Sequence, residues 1–256
     1  MEENPFSPPQ SDLEAPPSPG EGPLMPWEDR ITYPALGDRI VQTVQTLLKP
    51  SEAGPVLAGN RQILPSLTFI AVVGLPMPWL FQLIIGLIGP INPMQGILKL
   101  FGMPAPPAPD PSMQTMQRVM QIVGVVVFPL SMAMGLGIWG LLVHGGLWLT
   151  RALQPGRGLE TTFRTLIYSS ALMFMVSWIF NAWVFLPPIP ALIVLSLSVL
   201  IWIGFAIYQG ILMAKAHETQ LWRGILGLFA PMILLVCCCG GFVALIGGLA
   251  ALAAHR

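Results

Sequence analysis

Two hydrophobic patterns succeed each other along this chain. From Asp38 to Lys49, DRIVQTVQTLLK, the residues Ile40, Val41, Val44, Leu47 and Leu48 recur at i, i+1, i+4, i+7 and i+8. That spacing lines one face of a helix, which Asp38 is placed to cap and Pro50 to end. Its twelve residues cannot cross a bilayer, so it is expected to lie on the membrane surface with Ile40, Val44 and Leu47 turned inward. Docking on an outside partner is the alternative. Beyond Ile63 the periodicity gives way to continuous apolar runs. Residues 165–214 contain no Asp, Glu, Lys, Arg or His, and Leu186-Pro187-Pro188-Ile189-Pro190 breaks them near the middle. A bilayer core about 30 Å thick takes roughly 20 apolar residues as a helix, so this stretch predicts two spans joined by a tight hairpin. Backbone groups in hydrocarbon must be satisfied within the segment, which makes helices the expected form.

Three further runs complete an all-α polytopic bundle of five transmembrane helices, at about residues 63–91, 119–150, 165–186, 190–214 and 221–254. Pro65, Pro76 and Pro78 should make the first span irregular, and Pro231 should kink the last. The run 91–103 is interrupted by Lys99 and too short to cross, and 105–112 reads as a proline-rich loop. Ahead of the membrane domain, 30–62 is an amphipathic juxtamembrane segment. Residues 1–29 are acidic and rich in Pro, Ser and Gly. They hold too few apolar groups to offset ordering entropy, so a disordered, solvated tail is expected. They also lack the basic start and apolar stretch of a signal peptide, which leaves insertion to the first span.

Composition agrees with a membrane protein: 54% of residues are hydrophobic, only 9% are charged, and mean hydropathy is +0.70. The net charge of zero offers nothing to a nucleic acid, yet it hides an asymmetry, since nine of the twelve acidic residues fall at or before Glu52. Basic residues set orientation. Arg30, Arg39, Lys49, Arg61, Arg151, Arg157, Arg164, Lys215 and Arg223 fall on the N-terminal side of the predicted membrane. Only Lys99, Arg118 and Arg256 fall opposite. The N-terminus is therefore expected in the cytoplasm and the C-terminus outside, in the inner (plasma) membrane.

Little of the sequence suggests reaction chemistry. Gly135-Leu-Gly137-Ile-Trp-Gly140 fits a dinucleotide fingerprint, but it sits within a span, where glycines serve helix approach instead. Gly240, Ala244 and Gly248 form a small-residue stripe for a helix contact, within the chain in preference to a homo-oligomer. Cys237, Cys238 and Cys239 are adjacent, so they project about 100° apart and do not form a metal set; they read as small apolar fillers. No interior position of a span carries Asp, Glu, Lys or Arg, which counts against ion-coupled transport. Neither a catalytic constellation nor a metal or cofactor site is expected. His144 is the one ionisable side chain within a span. Depth reckoned from the flanking basic residues puts His144, Tyr168 and Gln209 roughly 6–10 Å inside the same boundary. They form a candidate polar cluster, with His144 expected to face Tyr168 or Gln209. The other reading gives Tyr168 to an interfacial aromatic belt and His144 to a backbone carbonyl.

Over about Trp27 to Ala254 the chain resembles the Yip1-domain membrane proteins in their bacterial form. The resemblance is carried by Pro26-Trp27-Glu28, by Thr43 through Leu48-Lys49-Pro50, by His144, and by Gly158-Leu-Glu-Thr-Thr-Phe163-Arg164 with Tyr168-Ser169. Trp202 with Gly204 and Lys215-Ala216-His217 extend it, and the opening Asn4-Pro5-Phe6 with Pro8-Pro9 looks like the start of many small bacterial membrane proteins. It departs at Ala53-Gly54, where bacterial relatives commonly carry aromatics. It also lacks the Asp-Leu-Tyr-Gly-Pro type of motif of eukaryotic members, so their GTPase binding does not carry over. The resemblance implies five helices, a cytoplasmic N-terminus and a non-enzymatic protein that organises protein or lipid partners. A permease-like subunit for a neutral or lipid-like solute is the alternative from another class.

Overall fold

The computed structural model describes residues 22–88, 98, 101–103, 110–234 and 237, and all its regular structure is helical. Helix α1 runs Leu36–Leu47 as its amphipathic pattern requires. Thr43 and Leu47 are buried and Ile40 and Val44 pack on the core, while Val41 and Leu48 face outward. Its cap differs from expectation: Ala35 holds that position without a side-chain hydrogen bond, and Asp38 lies in the first turn, where its charge complements the helix dipole. Pro50 ends α1 but also begins α2, Pro50–Gly59, because a proline suits the first helical position as well as it blocks a preceding turn.

The first apolar run forms α3, Leu64–Phe69, a π-helical turn over Ile70–Gly74, and α4, Pro76–Ile88. The two halves meet at 44°, where the ladder slips to Leu75 N–H donating to the Ile70 carbonyl and Pro76 has no N–H to continue it. Helix α5, Pro111–Leu149, begins before the expected span. Asp110 accepts a hydrogen bond from the Met113 backbone at 2.8 Å and Pro111 fills the first position, a strong start that a hydropathy reading assigns to loop. Helix α6, Leu159–Asn181, leads through a 3₁₀ turn, Ala182–Phe185, into α7, Pro188–Ala216, which forms the tight hairpin expected at Pro187. A last apolar helix, α8, covers Leu221–Leu234.

Three of these helices are long and apolar enough to cross a membrane, and the bent α3–α4 pair makes a fourth if it counts as one span. The fifth expected span continues past the described part of α8, and residues 1–21, the 105–109 loop, Gly240, Ala244 and Gly248 likewise lie outside the described residues. Helix α6 is the axis of the bundle, in contact with α1, α2, α3, α4, α5 and α7. Its first half is enclosed by two apolar clusters. One gathers Met25, Trp27, Leu47, Leu57, Phe69, Ile167, Tyr168 and Leu212; the other gathers Val143, Leu147, Leu166, Met213 and Leu228. Each fully buried large side chain contributes about 1.5–3 kcal/mol, so the packing energy concentrates at this end. Elsewhere α5 and α7 turn Leu130, Ile138, Ile193 and Leu200 outward, as lipid-facing helices do.

The sequence reading of 1–29 as a tail does not hold for its last residues. Met25 and Trp27 are buried and the Glu28 side chain is only 4% exposed, and with α1 and α2 they form a cap over the bundle. Two close approaches lock this end. A Cβ on Gly54 of α2 would stand 2.6 Å from Lys215 Cβ of α7, and one on Gly224 of α8 would stand 2.5 Å from the Gly210 carbonyl of α7. A larger side chain at Gly54 would have no room there. Two residues past the ends of α5 and α7 stands a non-glycine residue with left-handed backbone, Arg151 at φ 52° and Glu218 at φ 51°.

Candidate functional site

Arg164 and Tyr168 stand one turn apart on α6, so their side chains share a face. That face meets Glu28 of the cap. The Arg164 guanidinium, fully buried, donates from Nη2 to Glu28 Oε1 at 2.5 Å, and from Nη1 to the carbonyls of Leu57 at 3.2 Å and of Asn60. Tyr168 Oη donates to the same Glu28 oxygen at 2.9 Å, and Asn60 Nδ2 donates to Oε2 at 3.0 Å. One positive and one negative charge thus cancel out of water, each with several hydrogen bonds, as a buried pair requires. Beside them Trp27 Nε1 donates to Thr68 Oγ1 at 3.0 Å, its ring meets Phe69 edge-on at 5.4 Å, and the Arg39 guanidinium lies 5.3 Å from its centre. Phe69 in turn lies 5.2 Å from the Tyr168 ring.

A second network joins α5, α6 and the end of α7. His144 Nδ1 is 2.9 Å from Thr162 Oγ1, which is 3.0 Å from His217 Nε2. A hydroxyl has one proton to give, so Thr162 donates to one ring and accepts from the N–H of the other. His217 is fully buried and its Nδ1 has no partner among the described residues. A proton on Nε2 leaves that Nδ1 a bare acceptor, which is tolerated better than a stranded donor, and directs the Thr162 proton to His144. Burial first, then the neighbouring His144 and Arg157, push the His217 imidazole down to about 4, so the ring is neutral at pH 7. Arg157 pairs with Glu218 just outside. Although a hydroxyl between two imidazoles resembles an activated nucleophile, Thr162 is fully buried and open to no substrate, so its bonds tie helices together.

Gln209 of α7 makes a third contact, donating from Nε2 to Ser169 Oγ at 2.9 Å and Ser170 Oγ at 3.2 Å. The three candidate residues therefore each find a partner within the bundle, but they do not form one cluster. His144 faces Thr162 in place of Tyr168 or Gln209, Tyr168 faces Glu28, and Gln209 faces two serines. Depth along a helix follows from residue counting, whereas rotation about its axis does not, and rotation decides the partners. Glu28, Asn60, Thr162, Arg164 and His217 were not among the candidates, though Trp27-Glu28, Arg164 and His217 all stand in the stretches that carry the family resemblance. Among the described residues no group of three or more His, Cys, Asp and Glu is placed to hold a metal ion.

The long apolar helices and a charged cap anchored at one end define a multi-pass α-helical membrane protein. The chain matches no family model, no curated protein and no solved structure.

Proposed function

We propose that this is a non-enzymatic membrane protein of Yip1 type, with five spans and a cytoplasmic N-terminus, that organises protein or lipid partners at the inner membrane through its cap. The observation that carries the reading is the use made of buried charge. The Glu28–Arg164 pair, with the bonds from Arg164 to Leu57 and from Asn60 to Glu28, fastens residues 25–60 to the central helix. A segment held that firmly is a platform. On it Ile31, Leu36, Val41 and Leu48 are exposed, 95% in the case of Ile31, and Arg30 and Arg61 stand exposed nearby. Apolar side chains set among charges of both signs suit a partner surface or the headgroup layer.

The test is crosslinking in intact cells from a photoreactive residue placed at Val41 or Leu48 on the cap, or at Ile189 on the far hairpin. Discrete protein or lipid adducts are expected from the cap sites alone, and they should weaken when Glu28→Gln loosens the platform. Equal adducts from Ile189, or none from the cap, would refute the reading.

A further inference from the structure

Helices α5, α6, α7 and α8 line a half-open cavity of about 630 Å³, and no cap residue is among those lining it. Its size falls in the range of roughly 300–1,000 Å³ that small-molecule sites occupy. Trp139, Phe174, Trp202 and Phe229 form aromatic walls, and no residue lining it is charged. Besides the indoles of Trp139 and Trp202, two polar side chains line it, Gln209 and Ser170, side by side on one wall.

Their bonding leaves one acceptor and one donor over. Gln209 gives its amide N–H groups to Ser169 and Ser170, so its carbonyl oxygen has no donor among the described residues. The Ser170 hydroxyl accepts from Gln209, and no acceptor among the described residues takes its proton. Gln209 lies six residues from Lys215 along α7, about 9 Å, and Trp202 a further ~10 Å. The polar pair thus stands within the apolar section of the bundle, at the end of the cavity nearer the cap. A phosphate or ammonium head would sit there unpaired, at heavy desolvation cost. A hydroxyl both donates and accepts, which matches the Gln209 carbonyl and the Ser170 O–H together.

We propose that the cavity binds an uncharged lipid alcohol, its hydroxyl between Gln209 and Ser170 and its apolar body against the aromatic walls. The site is independent of the scaffold reading and stands whether or not the cap binds partners.

The full chain in phosphatidylcholine nanodiscs is irradiated with a diazirine-bearing long-chain alcohol. Labelling is expected on peptides that carry Trp139 or Trp202, and unlabelled alcohol should suppress it. The methyl ether of that alcohol keeps the acceptor but loses the donor, so it should compete roughly two- to tenfold less well. Gln209→Leu should abolish the alcohol's advantage over the ether, and Ala206→Trp, which fills the cavity, should remove the labelling. The ether comparison needs no variant and so survives misfolding of either one. Labelling that excess alcohol does not suppress overturns the proposal. So does equal competition by the ether, or a crosslink from position 202 to residues 235–254, which would put the chain's own segment in the cavity.

Discussion

Replacing Glu28 by Gln keeps the shape of the side chain and its place against Tyr168 and Asn60, but it leaves Arg164 as a buried charge without a counterion. Removing one partner of a buried pair costs about 3–5 kcal/mol, because the survivor has lost its hydration and gained nothing. The double variant Glu28→Gln with Arg164→Met removes the stranded charge. It leaves the Leu57 and Asn60 carbonyls without their donor, at about 1 kcal/mol each. The order of stability is therefore wild type, then the double variant roughly 2 kcal/mol below, then Glu28→Gln at the bottom. Thermal unfolding in nanodiscs measures the order. Trypsin cleavage at Arg30 and Arg39, kept slow by a seated cap, should accelerate in the same sequence. A double variant no better than Glu28→Gln alone would refute the argument that charge compensation fastens the cap.

Further outcomes follow from the same geometry. Val44→Asp should loosen α1 by roughly 1.5–3 kcal/mol, while Gln45→Asp on the exposed side should not, as read by protease accessibility in vesicles. Gly54→Ala should destabilise, because its Cβ meets Lys215, whereas Gly37→Ala, with nothing within 4 Å, should be neutral or gain up to about 1 kcal/mol in melting experiments. The His217 pKa is lowered from 6.5 to about 4, so the unfolded chain takes up a proton first. The stability it contributes is complete above pH 6.5 and falls by about 1.4 kcal/mol per unit as pH drops toward 4, a slope that His217→Gln should remove from the melting profile. A reporter active only in the cytoplasm should work at residue 1 and near Arg157 and be silent at Arg256; activity at Arg256 would contradict five spans.

Three spans, and a fourth if the bent α3–α4 pair counts as one, were legible because length and apolarity decide what can cross a bilayer. The 165–214 stretch announces its two helices and its proline turn, and the inward face of α1 follows from a 3.6-residue period. What escaped notice depends on information that no local pattern carries. Pro50 reads equally well as a stop or a start, so α2 was missed. Trp27 and Glu28 sit in a polar, proline-rich context whose composition says disorder, and only a partner far along the chain reverses that. Gly54 carries no local signal of its role until Lys215 is seen against it. His144, Tyr168 and Gln209 were placed at similar depth, yet each meets different partners: Thr162, Glu28, and the Ser169–Ser170 pair.

The cap also imposes an order on biogenesis. Glu28 is 136 residues from Arg164, and the Tyr208 hydroxyl that reaches the Leu47 carbonyl is 161 residues away from it. At about 5–20 residues per second, a ribosome needs roughly 7–27 s to make the arginine after the glutamate. During that interval Met25, Trp27 and then Leu47 have been synthesised, but the surface that shelters them is not yet complete. The cap is therefore the first part of the described structure to leave the ribosome, yet it cannot be completed until α7 has followed. Its closure reports that α6 and α7 have been delivered to the bilayer.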